Sequence, residues 1–392
     1  MKWMRLMSGG ERPGRFKPCA RMLGALLCAG WLGASACADE SASQPHTIQV
    51  PSKPLTIDRV YKSMEGVTGN NRFLWPAASP KPELLWVTGG KVDMIRDTDG
   101  SDGTPQMLCH AYLKFDDRYF KTSSHNPRLG THQPVRLFTF VQGQPAIRLP
   151  RGFGIPILST ELMEFTYMVI NPTPVERPFG VMSKGTFEYV RDAGLRKPLK
   201  PLFMRIVGMH IPVRKGTAGP HAQCSELGDI ASADLGGKVE QDAEPAKSSI
   251  RKILKSEAGF DEVYHWMVPP GRHEYRYQLE SKFLGNLPFD TTVHYINAHL
   301  HPHGEFVELR DLTAGNTVFR SVAANNAERS GLTELTHFSS RKGIVIHRDH
   351  EYEMVAGYNN TTEHDIDAMA ILFLYLLDKT FDREQLRKSR GI

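Results

Sequence analysis

Cysteine is scarce in this sequence of 392 residues, which contains five. Three of them, Cys19, Cys28 and Cys37, lie within the first 40 residues, so Cys109 and Cys224 are the two that remain in the body of the chain. Two cysteines can form one disulfide at most. The sequence therefore excludes a small scaffold held together by several disulfides.

Long apolar runs are also lacking, since the chain has no segment of about 18 apolar residues that would span a membrane. The longest run, residues 22–36, follows a basic segment and is too short to span. This order predicts a secretory signal peptide over residues 1–38, cleaved after Ala36-Cys37-Ala38. Lipidation of Cys37 is the alternative, so we expect an exported protein, periplasmic or secreted, that is either free or a lipoprotein.

An excess of one charge is absent from the body of the chain. Six of the 48 Lys and Arg residues and one of the 43 Asp and Glu residues lie in the leader, so the formal charge of +5 disappears when the leader is removed. A nearly neutral protein offers no electrostatic case for binding nucleic acid.

Convincing long helices are missing as well, and short strand signals take their place. These segments are rich in β-branched and aromatic residues and are bounded by Gly, Pro, Asn or Asp, a pattern typical of sandwiches and jelly rolls. We predict an all-β protein of two tandem jelly-roll-like β-sandwiches. The first covers residues 46–255, with a long loop at 215–257, and the second covers residues 256–385.

The histidines of this sequence are spaced in a pattern that suggests metal binding. All 16 histidines follow the leader, and the richest segment is residues 294–304. On a strand, His299 and His301 would present two imidazoles on one face, a spacing that suits a single metal ion. His294 has the opposite parity, which favours a structural role. Two half-exposed strand histidines without a metal are the alternative for an isolated His-x-His.

The surroundings of this pair carry a resemblance to a known family. Val268-Pro269-Pro270-Gly271 precedes the histidines, and Asp367-Ala368-Met369 follows about 68 residues after His301. Here the chain resembles the copper type II, ascorbate-dependent monooxygenases, over residues 265–378 and more faintly over 84–190. The resemblance implies that His299, His301 and Met369 hold an oxygen-binding copper. A thioether is a soft ligand that favours Cu(I), whereas a methionine in an apolar strand is otherwise a core residue.

A second copper site implied by the family is altered in this sequence. The family has an adjacent His pair and one later histidine, where this chain has Cys109-His110 and Met168. These three residues could form a degenerate copper site. The alternative is that the site is lost, with Cys109 buried or bonded to Cys224 and Met168 in the core. Three further histidines could replace the missing ligand: His125, His132 and His210.

The resemblance also implies partners and a reaction. We expect an exported copper-dependent monooxygenase that hydroxylates a small organic substrate with O2 and an external electron donor such as ascorbate. Asn297, Ile371 and Phe373 stand where peptide-amidating members hold a substrate carboxylate, so a peptide carboxylate would lack its charged partner. The alternatives are a one-copper binding, delivery or sensing protein, and a cupin-like metalloenzyme using His299, His301 and Glu305.

Overall fold

The computed structural model describes residues 45–63, 65–78, 80–96, 104–116, 136–214, 260–279, 287, 289–328 and 330–392. The predicted signal peptide, the predicted loop at 215–257, Cys37, Cys224, His125 and His132 lie outside these residues.

Strands make up most of the described chain, so the prediction of an all-β protein is confirmed. The strands of the first part are β1 (His46–Pro51), β2 (Leu55–Ile57), β3 (Val67–Phe73), β4 (Leu84–Arg96), β5 (Leu108–Phe115), β6 (Arg136–Val141), β7 (Ala146–Arg148), β8 (Phe153–Leu158), β9 (Met163–Val169), β10 (Phe179–Arg191), β11 (Lys200–Gly208) and β12 (Ile211–Arg214). The later strands are β13 (Phe260–Val263), β14 (Trp266–Val268), β15 (Gly271–Gln278), β16 (Thr291–Leu300), β17 (Gly304–Asp311), β18 (Asn316–Asn325), β19 (Leu332–Leu335), β20 (Phe338–Ile346), β21 (Tyr352–Asn360), β22 (Ile366–Ala368) and β23 (Ala370–Leu377).

Helical structure in the described residues is confined to short pieces. Two 3-10 turns cover Pro105–Met107 and Asp192–Gly194, and α1 covers Arg383–Arg390. Asp382 caps α1 by accepting a hydrogen bond from the Gln385 N–H, and Gly391 ends it with a left-handed φ of 65°. Within the described chain, no helix has the length and apolar character needed to cross a membrane.

The strands form three larger sheets and two short pairs. A ten-stranded sheet has the order β1-β10-β4-β8-β11-β23-β16-β20, with β2 beside β10 and β7 beside β4. A five-stranded sheet has the order β15-β21-β17-β18-β19, and a four-stranded sheet has the order β3-β9-β5-β6. The short pairs are β12-β13 and β14-β22. Nearly all of these pairs are antiparallel, as expected of the jelly-roll-like architecture.

Strands from both sides of the predicted boundary at residue 255 share the ten-stranded sheet. β8 meets β11 through a short parallel ladder, in which Lys200 pairs with Phe153 and Pro201 with Gly154. β11 then pairs along its length with β23, near the end of the chain. The described residues belong to one compact unit, and the division into two sandwiches stays a prediction.

The strands at the centre of the large sheet are buried on both faces. β23 has the sequence AILFLYLL, and seven of its eight residues are buried. β16 is buried almost throughout, although it carries His294, Asn297 and His299. A strand covered on both sides is normally a continuous apolar run, so the polar residues of β16 need partners inside the protein.

Glu308 of β17 is a buried carboxylate with such partners. It accepts hydrogen bonds from Arg320 at 2.9 Å, from Arg310 at 3.2 Å and from the Thr317 hydroxyl. Burial alone would raise the pKa of Glu308, but the hydrogen bonds from Arg310 and Thr317 and the charges of the two arginines outweigh it, so the pKa lies below its ordinary value. The ionised carboxylate therefore stabilises the five-stranded sheet.

Replacing Glu308 with Gln should lower the free energy of unfolding by about 1–3 kcal/mol at pH 7, because charged hydrogen bonds to Arg310 and Arg320 are lost. A lowered pKa means that this stabilisation is present above the ordinary pKa of about 4.5 and disappears as the pH falls through the folded value. Urea unfolding at pH 7 and pH 3 should show the difference between the two proteins shrinking at the acid end.

The matched control is Glu305→Gln on the same strand. Glu305 is partly exposed and pairs with the exposed Arg272 at 3.3 Å, so its loss should change stability by no more than about 0.5 kcal/mol. Equal losses of unfolding free energy in the two variants would show that the buried network around Glu308 stabilises the fold no more than the exposed pair does.

Candidate metal centre

The predicted His-x-His segment lies where the chain leaves the large sheet. β16 ends at Leu300 and β17 begins at Gly304 in the five-stranded sheet. His303 lies in the turn with a φ of 69°, a left-handed conformation that residues other than glycine seldom adopt. Asn325 holds the turn by accepting from the His303 N–H at 2.7 Å and donating to the Gly304 carbonyl at 2.9 Å. Pro302, which lies in this turn, lacks the backbone N–H that a sheet ladder requires.

The pairing of β14 with β22 brings two further polar residues, His265 and Asp367, to this turn. In its register, Trp266 lies opposite Ala368 and Met267 lies opposite Asp367. His265 precedes β14 directly, so it lies at the same end of the pair as the chain between β22 and β23.

The Tyr358 hydroxyl joins these segments to the end of β16. It donates to the Met369 carbonyl at 2.6 Å and accepts from the backbone N–H groups of Met369 at 3.2 Å and His301 at 3.3 Å. One buried hydroxyl thus fixes the backbones of His301 and Met369 beside each other. Burial raises the pKa of Tyr358 well above its ordinary value, so the hydroxyl keeps its proton.

The result is a cluster of His265, His301 and Asp367. The Nδ1 atom of His265 lies 3.2 Å from Asp367 Oδ1, and the Nδ1 atom of His301 lies 2.8 Å from Asp367 Oδ2. One ligand atom from each residue lies within 4.8 Å of the other two. Both rings are buried, while the side chain of Asp367 is 23% exposed.

His301 approaches Asp367 closely, with its Nδ1 atom 2.8 Å from Asp367 Oδ2. The buried Nε2 atom of His301 has no hydrogen-bond partner among the residues that the structure describes. A buried polar atom without a partner is costly.

His299 lies beside this cluster. Its ring centroid is 5.2 Å from that of His301, the residue is 5% exposed, and its Nδ1 has no hydrogen-bond partner within the described chain. Burial lowers the pKa of His299 well below its ordinary value, and the neighbouring rings of His301, His110 and His265 lower it further. The ring is therefore neutral at pH 7, which is the form that binds metal ions.

Asp367 is charged, whereas the ring of His299 is neutral. Burial would raise its pKa, but the adjacent His301 and His265 rings outweigh this effect, and the pKa of Asp367 lies well below its ordinary value. A negative carboxylate thus lies next to two imidazole nitrogens, with a third imidazole, that of His299, nearby.

The residues predicted for the second copper site lie on neighbouring strands, with His110 of β5 opposite Met168 of β9 in the ladder. Cys109 is a buried free thiol and packs with Met168 and Ile170 in a small apolar cluster. His110 instead faces His299, with ring centroids 6.2 Å apart. His210, considered as a replacement ligand, packs on Tyr264 with ring centroids 3.8 Å apart. Copper binding by Cys109, His110 and Met168 stays a prediction.

The remaining predicted site residues have clear positions. Met369 is 1% exposed within the main hydrophobic core, and its role as a copper ligand stays a prediction. The two ring nitrogens of His294 lie 2.7 Å from the Thr292 hydroxyl and 2.9 Å from the Ser340 carbonyl, as a structural residue would require.

Sequence reasoning did not single out His265 or Asp367 as ligands. Asp367 does carry a signal, since it is the charged residue at the start of an otherwise apolar run to Leu377, and a buried charge needs a partner. His265 has no comparable signal, because its contact with Asp367 depends on the pairing of β14 with β22.

Comparison with known proteins gives no match to a protein-family model and none to a curated protein. Solved structures that match include viral capsid proteins. The crystal structure of the STIV MCP is 10% identical, with 85% of this chain and 97% of that chain covered and a TM-score of 0.31. The PBCV-1 virus capsid is 7% identical, with 86% and 96% covered and a TM-score of 0.33. The infectious bursal disease virus VP2 subviral particle is 9% identical, with 87% and 74% covered and a TM-score of 0.18. These are likenesses of β architecture alone.

These findings correct the function predicted from the sequence. The matching structures named above are capsid proteins, and the predicted copper-dependent monooxygenase is wrong, as are its alternatives, the one-copper binding, delivery or sensing protein and the cupin-like metalloenzyme.

The site supplies a physical reason for each correction. The monooxygenase prediction placed His110 and His299 in two different copper sites, whereas their buried rings are 6.2 Å apart. The copper-handling alternative used the same oxygen-site ligands, while His301 Nδ1 lies 2.8 Å from the carboxylate of Asp367. The cupin-like hypothesis requires Glu305 as a metal ligand, but Glu305 pairs with Arg272.

Replacing Tyr358 with Phe should lower the free energy of unfolding by about 1–3 kcal/mol, because three buried backbone groups lose a hydrogen-bond partner. Urea unfolding measures this loss. Tyr189→Phe is the control: Tyr189 is also buried, but its hydroxyl makes no hydrogen bond in the described part of the chain. That variant should stay within about 0.5 kcal/mol of the parent, and a similar loss in both would contradict the role assigned to Tyr358.

Proposed function

We propose that this protein binds one divalent transition-metal ion of the zinc class through His265, His301 and Asp367, and that the ion stabilises the fold at the end of β16. The observation that carries the proposal is the buried approach of two imidazole nitrogens and a carboxylate oxygen to within 4.8 Å of one another. The role is structural and involves no reaction.

The donor set suits such an ion. Zinc is bound by imidazole nitrogen and carboxylate oxygen at about 2.0–2.2 Å, in a tetrahedral arrangement whose ligand atoms are roughly 3.3 Å apart. The contacts of Asp367 with His265 and His301, at 3.2 Å and 2.8 Å, are close to that spacing. Calcium and magnesium prefer sites made of oxygen ligands, so two imidazoles argue against them.

His299 is placed to complete the coordination. It is buried and neutral, and its ring lies next to that of His301. A site closed by four protein ligands is typical of structural zinc, whereas catalytic zinc keeps a position open for water or substrate. The burial of His265, His299 and His301 favours the closed form.

The proposed ion would connect three separate segments. His265 precedes β14, His301 follows β16, and Asp367 lies in β22. Crosslinking segments that are distant in sequence stabilises the folded state, since the ion binds the native arrangement and not the unfolded chain.

The test is metal binding by the full chain and by Asp367→Asn. Each protein is stripped with a chelator, titrated with Zn²⁺, and analysed for bound metal and for the melting temperature. We expect Asp367→Asn to bind one equivalent fewer than the parent, or to bind that equivalent at least about 100-fold more weakly. Zinc should raise the melting temperature of the parent by several degrees and that of the variant by much less.

Asp365→Asn is the matched control, because Asp365 is an exposed aspartate two residues away and outside the cluster. It should bind zinc as the parent does. Substitution with Co²⁺ should give the strong visible absorption of a tetrahedral site in the parent and the control alone. If Asp367→Asn retains the full number of ions at the parent's affinity, the assignment is wrong.

Copper, the ion predicted from the sequence, is compared in the same titration. Cu²⁺ binds most nitrogen and oxygen sites more tightly than Zn²⁺ does. The identity of the native ion is therefore read from the metal that remains in protein purified without added metal.

A further inference from the structure

We infer that the turn between β20 and β21 is a second metal-binding site, open to solvent, in which His347, Asp349 and His350 bind a divalent transition-metal ion. One ligand atom from each of the three lies within 4.8 Å of the other two. This site is separate from the buried cluster and does not depend on it.

The two imidazoles are arranged side by side. The rings of His347 and His350 are stacked, with centroids 4.3 Å apart and an angle of 29° between their planes. One nitrogen of each ring lies within 4.8 Å of the other and of a carboxylate oxygen of Asp349, so one ion can reach both rings. The Asp349 carboxylate supplies a third, anionic ligand on the same turn.

A carboxylate from outside the turn orients each ring. Asp290 Oδ2 lies 3.1 Å from His347 Nδ1, and Asp311 Oδ2 lies 2.7 Å from His350 Nδ1. With both Nδ1 atoms engaged, the Nε2 atoms are the ones left to bind an ion. A carboxylate that accepts a hydrogen bond from the other nitrogen of a ligating histidine is a common arrangement around protein-bound metals.

The orienting carboxylates are themselves held in place. Asp290 Oδ1 accepts the Arg348 N–H at 3.1 Å, and Asp311 Oδ1 accepts the Ala314 N–H at 2.8 Å. These contacts fix the position of each carboxylate beside its histidine.

The backbone of the turn is fixed as well. The Tyr352 hydroxyl donates to the His347 carbonyl at 3.1 Å and accepts the His347 N–H at 2.9 Å. The Glu351 N–H donates to the Thr313 hydroxyl at 2.9 Å. Little ordering is therefore required when an ion binds, which favours affinity.

Solvent reaches this site directly, unlike the buried cluster. The side chains of His347 and His350 are 40% and 23% exposed, and Asp349 is exposed. An ion here can exchange with solution, and two imidazoles select Zn²⁺, Cu²⁺ or Ni²⁺ over Ca²⁺ or Mg²⁺.

β16 separates the two sites. Asp290 directly precedes this strand and His301 directly follows it, so at about 3.3 Å per residue they lie roughly 35 Å apart. Sites at this distance with no common ligand should bind independently.

The experiment uses the full chain carrying Asp367→Asn, which removes the proposed buried site, and compares it with the same chain carrying His347→Gln and His350→Gln as well. Calorimetric titration with Ni²⁺ and Zn²⁺ should show one equivalent bound by the first protein. In the second, we expect affinity to fall at least 10-fold. Asp290→Asn should weaken binding about 10-fold, since it releases the orientation of His347.

His364→Gln is the control, because His364 is an exposed histidine outside the cluster. It should leave the titration unchanged. In the unaltered chain, substoichiometric Ni²⁺ should broaden the imidazole NMR signals of His347 and His350 before that of His364, a readout that needs no variant. Equal affinity with and without His347 and His350, or broadening that spares both rings, would overturn the proposal.

Discussion

The ionised carboxylate of Asp367 beside the rings of His265 and His301 is the constraint on which the candidate site depends. Removing a carboxylate from water is costly unless opposite charge and hydrogen-bond donors replace its hydration. The two rings hold the pKa of Asp367 low, while the buried Nε2 atom of His301 has no hydrogen-bond partner among the described residues. The proposed doubly charged cation would satisfy the carboxylate and ring nitrogens together.

The fold accounts for how these groups meet. β16 is an interior strand of the large sheet, and the chain passes into the five-stranded sheet directly after it. The Tyr358 hydroxyl fixes that crossing to the chain between β22 and β23. Ligands from three segments are thus held by backbone hydrogen bonds before any ion binds, so the histidine geometry is a property of the sheets themselves.

Much of this architecture could be predicted from local pattern. Short segments rich in β-branched and aromatic residues, bounded by turn residues, correctly predicted an all-β chain. His299 and His301, predicted to share one face of a strand, have ring centroids 5.2 Å apart, although β16 ends between them at Leu300. These features depend on the period of a strand and on short-range backbone preferences, which a single sequence contains.

The predicted function failed where the answer depended on contacts between distant segments. Spacing shows that two histidines share a face, but not which groups pack against that face. In this protein those groups are Asp367, His265 and His110, which come from three other strands or their ends. The packing of Cys109 with Met168 and Ile170 likewise depends on the pairing of β5 with β9.

The interior position of β23 has a consequence for how the protein is made. It follows β11 and β16 in the sequence, yet it lies between them and joins the two parts of the large sheet. During synthesis, the edges of β11 and β16 that pair with it therefore have no partner until residue 377 has left the ribosome. Until then the growing chain exposes strand edges prone to aggregation.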